Sequence, residues 1–324
     1  VYFELHSLIG GVTFAYSIEV EWVLLEENSG IRIKLREELS TLVGPQRREQ
    51  IFIREDKSIT LADGRKVEVA SGIPCIPALV SLLPQGSKTV KALAPLFGEL
   101  QAIRYYTFEP PWESDSDSGF VSNRQFESWL SRKGGNVALG NSVLMRLIDM
   151  SVNNADKFDE VKSLLGRNGL DVAELIDVHK FRPGIRDEQE MYWSVWFRAS
   201  GSTDLLAFSD LSSGTQRIVA IVSSLVYDSS STMLIEHPED GIHSALLMKL
   251  MGVLKANSDR SQIVVTSHSS TVFDAVEPHE IRLVSIENGS TKLRPLTDKE
   301  IAAAAEYLEC DGNLSDFLTL VEDE

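Results

Sequence analysis

Only two cysteines, Cys75 and Cys310, occur in the 324 residues. That is too few for a disulfide framework, and such scarcity fits a reducing compartment, so a cytoplasmic protein is expected. No apolar run reaches the roughly 20 residues that a spanning helix needs. The longest candidate, Gly72 to Leu83, is broken by Pro74 and Pro77. The start does not read as a signal peptide, because Glu4 and His6 stand where a basic region and an apolar run belong. No heptad pattern is sustained, which excludes a long coiled coil within these residues. Basic charge is also scarce. Against 48 Asp and Glu there are 31 Lys and Arg, a formal charge of -17, so the surface as a whole repels nucleic acid and acidic membranes. Direct nucleic-acid contact needs a local basic patch, for which Arg47-Arg48 and His179-Lys-Phe-Arg182 are the candidates, though solvated helix faces or loop ends are their ordinary reading. The 43% of hydrophobic residues suffices for a large core, which excludes intrinsic disorder.

What is present falls into three stretches. In the first, 1–76, Phe14, Tyr16, Ile18, Val20 and Trp22 alternate with polar and small residues at period two, predicting a half-buried antiparallel strand. Asn28-Ser29-Gly30 turns into a strand over Ile31–Leu35. A second hairpin is expected from Ile51–Ile53 and Val67–Val69 around Asp63-Gly64. Between 77 and 182 the apolar spacing becomes helical, with Leu79, Leu82 and Leu83, then Leu144, Leu147 and Ile148, predicting a helical lobe. Its acidic connector, 113–119, reads as a solvated loop. From 183 to 324 the sheet pattern returns with Met191, Trp193, Val195 and Phe197. Short apolar runs follow at Thr232–Ile235 and Ile263–Val265, separated by helical stretches, as in buried parallel strands of an α/β layer. A hairpin around Asn288-Gly289 and a helix opened by the capping box Thr297-Asp-Lys-Glu300 close the chain.

Three segments of the last stretch carry candidate chemistry. Leu211-Ser-Ser-Gly-Thr-Gln-Arg217 puts small hydroxyl residues and Gly214 at the mouth of a helix, where free N–H groups and the helix dipole favour a phosphate; ordinary capping explains the same residues. Thr232-Met-Leu-Ile-Glu236-His-Pro-Glu is an apolar strand ending in a carboxylate. At the carboxyl edge of a parallel sheet, Glu236 could hold a hydrated Mg²⁺ beside phosphates, or it could sit in a surface turn. Ile263-Val-Val-Thr-Ser-His268 is a strand with an imidazole at its tip, able to donate to a phosphate oxygen or to satisfy a nearby backbone group.

Together these segments resemble the signature motif, Walker B strand and H-loop of ABC-type ATPases, and most closely the AAA15/AAA21 group of SMC- and RecF-like ATPases. Gly241-Ile-His243 matches the ending of that group's Walker B segment. The resemblance extends more weakly to the β-rich start, to Leu35-Arg-Glu-Glu-Leu39 and Ile51-Phe-Ile-Arg54, and to the entry to the helices near Gly134. It implies an α/β fold: an ABC-type ATPase head with an antiparallel β subdomain (1–76), an inserted helical lobe (77–182) and a mostly parallel Walker B/H-loop core sheet (183–324). It also implies ATP and Mg²⁺ as ligands and a dimer. Ser212, Ser213, Gly214, Thr215 and Gln216 would meet the nucleotide bound by the other copy, with Glu236 supporting Mg²⁺ and His268 sensing the γ-phosphate. The resemblance suggests anti-phage defence beside a separate effector such as a nuclease, with a RecF-like repair role as the alternative.

Two departures from the family pattern matter. His237 stands where the family has a catalytic Glu. An imidazole can accept a proton near neutral pH, so slow hydrolysis is expected, with Glu239 as a less well placed substitute; a non-catalytic nucleotide-binding scaffold is the competing reading. A Walker A loop is absent. Gly135-Asn-Val-Ala-Leu-Gly-Asn-Ser142 has the glycine spacing but Asn141 in place of lysine. The family places that loop near its N-terminus, so a segment carrying it is expected to precede Val1, the alternative being a pseudo-ATPase. From another class, Glu236, His237, Glu239, His243 and His268 have the types of zinc or manganese ligands, but Pro238 and Gly241 prevent one helical face from presenting His237 and His243.

Overall fold

The computed structural model describes residues 2–24, 31–43, 47–70, 72–107, 120–131, 142–183, 190–228, 230–287, 290–310 and 312–322. Two compact units divide the chain, one of 1–102 with 288–290, the other of 103–287 with 291–324.

In the first unit, β1 (Tyr2–Ile9), β2 (Val12–Leu24), β3 (Ile31–Val43), β4 (Arg47–Glu55), β5 (Ser58–Leu61) and β6 (Lys66–Glu68) form an antiparallel meander in chain order. The alternating strand is there as β2, although Ala15 is as buried as Phe14. The expected second hairpin is instead two, because β4 pairs with β5 and β5 with β6. β5 has only four residues, and the turn before it uses Asp56 at φ 53° rather than a glycine, so neither signal announced it. Helices α1 (Cys75–Leu82) and α2 (Lys88–Ala102) belong to this unit, and Leu79, Leu93 and Leu96 share its core with Leu39, Phe52 and Ile59. A buried ion pair is set into it. Arg54 Nη1 lies 2.8 Å from Glu37 Oε1, and both side chains are fully buried. The remaining polar atoms are satisfied locally. Arg54 donates to the carbonyls of Asp56, Ala70 and Ile73, while Glu37 accepts from the Tyr16 hydroxyl and the Cys75 N–H. This network fixes the entry to α1.

The second unit opens with β7 (Ile103–Thr107), a strand inside the stretch expected to be helical. Its β-branched and aromatic residues, Ile-Arg-Tyr-Tyr-Thr, suit an extended backbone. Next come β8 (Phe120–Ser122), α3 (Asn123–Ser131), α4 (Ser142–Asn153), α5 (Ala155–Leu165), β9 (Leu175–Phe181), β10 (Tyr192–Arg198) and β11 (Leu206–Ala207). The chain continues through α6 (Ser213–Tyr227), β12 (Thr232–Glu236), α7 (Ser244–Ala256), β13 (Gln262–Thr266) and α8 (Ser270–Phe273). It closes with β14 (Arg282–Glu287), β15 (Ser290–Pro295), α9 (Asp298–Glu309) and α10 (Leu314–Glu322). The predicted capping box is present at α9, where Thr297 and Glu300 each take the other's backbone N–H.

Strand β12 is the centre of a three-stranded parallel sheet, with β13 on one side and β7 on the other; Glu236 is in register with both Thr266 and Thr107. Antiparallel β8, β9 and β11 all pair with β10. One core unites these layers around α6, whose run Ile218–Ser224 is buried without a break. A helix buried on every side has no solvent face to turn outward, so its position is set from all directions. Its far end is tied down by Arg146 of α4, which donates to Ser224 Oγ at 2.8 Å and pairs with Asp228 at 2.9 Å; Tyr106 of β7 donates to the same Asp228. Parallel sheets are ordinarily covered on both faces. Here Met233 and Ile235 are buried on one face, whereas the other presents Tyr105, 59% exposed, and Val264, 42% exposed.

The turn at Asn28–Gly30, the acidic connector 113–119, the glycine-spaced segment 135–141 and the Asn288-Gly289 turn lie outside the described residues. Among the described residues no helix is long and apolar enough to cross a membrane.

Candidate functional site

The site lies where β12 and β13 end and α6 begins. Glu236 is the last residue of β12, on the more open face of the sheet, and accepts a hydrogen bond from the Tyr105 hydroxyl of β7. His237 then leaves the strand at φ 45°, a left-handed backbone unusual for a residue with a side chain. Its N–H still bonds Thr266 O at 2.9 Å, extending the parallel ladder by one step, while its carbonyl turns towards α6. There Arg217 Nη1 donates to it at 2.6 Å.

The tip of β13 faces the same turn. The His268 ring stacks on the His237 ring at 5.4 Å between centroids. Glu239 joins the two strand ends: its Oε1 accepts from Ser267 Oγ at 2.8 Å and from the His268 N–H at 3.2 Å, and lies 3.4 Å from His237 Nδ1. Burial works to raise the Glu239 carboxyl, but these hydrogen bonds outweigh it and hold the group below the ordinary glutamate value. Its other oxygen, Oε2, is buried with no hydrogen-bond partner.

The start of α6 abuts the turn. Ser212 is its N-cap, accepting from the Thr215 N–H at 3.2 Å. A Cβ on Gly214 would stand 2.1 Å from Gly241 O, so only glycine permits this approach of helix to turn. Ser212 and Ser213 are exposed. Gln216 instead points back, donating to Phe208 O at 2.8 Å.

The structure thus brings His237, Glu239 and His268 into one cluster, joined to Glu236 through the strand, and sets Ser212 to Thr215 at the mouth of the abutting helix. His243 is apart from it as the N-cap of α7, its Nδ1 accepting from the Ala245 N–H. Among the described residues no three His, Cys, Asp or Glu side chains are grouped to hold a metal ion, so a cage made of protein ligands alone does not fit. A single strand-end carboxylate, Glu236, part-exposed and bonded through one oxygen to the Tyr105 hydroxyl, does fit the sparing ligation that hydrated Mg²⁺ takes beside phosphates. Sequence reasoning missed Arg217, Tyr105 and Ser267. Arg217 had left a signal, the lone charge of its helix, standing directly before the apolar run that begins at Ile218. Tyr105 was hidden by the helical reading of its strand.

Parallel strands ending beside a helix N-terminus define the class, an α/β nucleotide-binding fold. Residues 106–274 match the family described as "AAA domain, putative AbiEii toxin, Type IV TA system". The match spans just over half of the chain, and the chain belongs to this family, the ATPase group to which its motifs pointed. No curated protein matches it. Among solved structures it is similar to an SmcHead bound to the C-winged helix domain of ScpA, at 10% identity over 90% of this chain and 76% of that one, TM-score 0.41. It is also similar to an Smc head domain with an extended coiled coil from Pyrococcus furiosus, bound to the C-terminal domain of ScpA, at 11% over 91% and 80%, TM-score 0.39. A third is the SMC head domain from Thermotoga maritima, at 12% over 89% and 75%, TM-score 0.36. All three are distant likenesses.

Proposed function

We propose that this chain is an ATP-binding, slowly hydrolysing head that works as a dimer and switches a separate effector. One observation carries the reading: the carboxylate Glu236, the stacked imidazoles His237 and His268, and the N-terminus of α6 meet at one edge of a parallel sheet. Glu236 supports Mg²⁺, which when bound neutralises charge developing on the phosphates. His268 donates to a phosphate oxygen. His237, supported by Glu239, accepts the proton of the attacking water, a weaker arrangement than a free carboxylate and the reason for slow turnover. Ser212 and Ser213, with the backbone N–H of Gly214, close over the nucleotide of a second copy. The family description, naming a toxin–antitoxin system, favours work beside a partner, and anti-phage defence is the setting we propose. The imidazole at the base position favours a second reading, a scaffold that binds ATP without cleaving it.

The test is titration of the full-length protein with a fluorescent ATP analogue and Mg²⁺, alongside light scattering for its mass. ATP-dependent doubling of the mass that Ser212→Arg abolishes, and binding that Glu236→Gln weakens at least about tenfold, are expected. Binding indifferent to Glu236→Gln, with an unchanged mass, overturns the reading. Tight binding and dimerisation without phosphate release select the scaffold.

A further inference from the structure

The turn 237–242 is where the site departs most from ordinary backbone geometry, and what holds it is on helix α6. His237 sits in the left-handed region, which is strained for a residue with a side chain and persists only when the surroundings enforce it. Within the turn, the Asp240 N–H reaches His237 O at 3.3 Å and the Ile242 N–H reaches Glu239 O at 3.0 Å. The shortest bond to the His237 carbonyl is from outside, the 2.6 Å contact from Arg217 Nη1. Arg217 is a 6%-exposed charge in a buried helix, and it also lies 3.6 Å from the exposed Asp240 carboxylate. A planar guanidinium can serve both acceptors; an ammonium has one compact charge to offer. One helical turn earlier, Gly214 meets the backbone of Gly241. Two successive turns of the same face of α6 therefore grip both ends of this segment.

We propose that Arg217 is a positioning residue that locks the backbone of His237, and with it the pair of imidazoles, to the first turn of α6. This rests on the function proposed above and deepens it. The helix mouth that closes on the nucleotide of another copy is bolted to the water-facing turn of its own chain. Closure at Ser212 is then delivered to His237 through a buried lever, and each site feels whether the other is engaged.

The experiment uses full-length protein with Arg217→Met, Arg217→Lys and Asp240→Asn, followed by amide hydrogen exchange without nucleotide and by steady-state ATP hydrolysis. Arg217→Met is expected to speed exchange across 237–242 at least about tenfold, with β12 and the middle of α6 unchanged. Arg217→Lys, which keeps one donor, recovers part of the protection and carries the comparison if the methionine variant does not fold. Asp240→Asn leaves exchange as it was. In hydrolysis, kcat falls about tenfold or more in Arg217→Met while nucleotide affinity changes less than about twofold, because the turn is misplaced and not the binding surface. Unchanged exchange in Arg217→Met, or an equal loss in Asp240→Asn, overturns the proposal. A wild-type protein that neither binds nor cleaves ATP refutes the function proposed above, while the exchange comparison still decides the role of Arg217.

Discussion

Replacing Gly214 with alanine should lower stability, the reverse of what such a change does in most helices. In an open helix interior, alanine gains about 0.8–1 kcal/mol over glycine. At Gly214 the new methyl would stand 2.1 Å from the Gly241 carbonyl oxygen and 2.9 Å from its carbon, both backbone atoms that no side-chain rotation can remove. Overpacking of a close-packed site costs about 1–3 kcal/mol, and an approach this short to backbone belongs at the upper end. The net expectation is a loss of about 1–2 kcal/mol. Gly252 of α7 supplies the control, since it is exposed and a Cβ there meets nothing within 4 Å; Gly252→Ala should stabilise by up to about 1 kcal/mol. Thermal unfolding measures both. At about 2–4 °C per kcal/mol for a unit of this size, Gly214→Ala should melt about 2–8 °C below the wild type and Gly252→Ala slightly above it. Equal shifts for the two variants would falsify the claim that helix and turn are in backbone contact.

Two further perturbations test other parts of the structure. Arg54→Met leaves the Glu37 carboxylate buried without its cation, so it should cost about 3–5 kcal/mol; denaturant unfolding should show that loss, and a double variant Arg54→Met with Glu37→Leu should recover much of it. Glu300 accepts two bonds from Arg294 and one from the Thr297 N–H, and these hold its carboxyl down to about 2, from an ordinary value of 4.5. A depressed carboxylate stabilises fully above its unfolded value, so the contribution should be present above about pH 4.5 and fade as pH falls through about 2. The melting gap between wild type and Glu300→Gln should narrow across that window; a gap constant from pH 7 to 2 would refute the assignment.

Much of this protein is written in local pattern. Period-two alternation announced β2, two short apolar runs announced β12 and β13, and Thr297 with Glu300 announced the start of α9. The same runs located Glu236 and His268, because a buried parallel strand must end where its apolar residues end. Such features depend on neighbours within a few positions, and these the chain states directly. Strand β7 escaped, since its apolar and aromatic residues lie directly after a helix and resemble its continuation. Gly214 was read for the open N–H groups of a helix mouth, whereas its steric reason is Gly241, a residue twenty-seven positions away. Arg217 could be noticed as a stray charge, but not that it holds the carbonyl of His237. Composition and periodicity decide which segments become strands and helices and which faces are apolar. The left-handed turn, the stacked imidazoles and the grip of α6 upon both arise from groups distant in sequence, and only packing α6 against the sheet brings them within hydrogen-bonding reach.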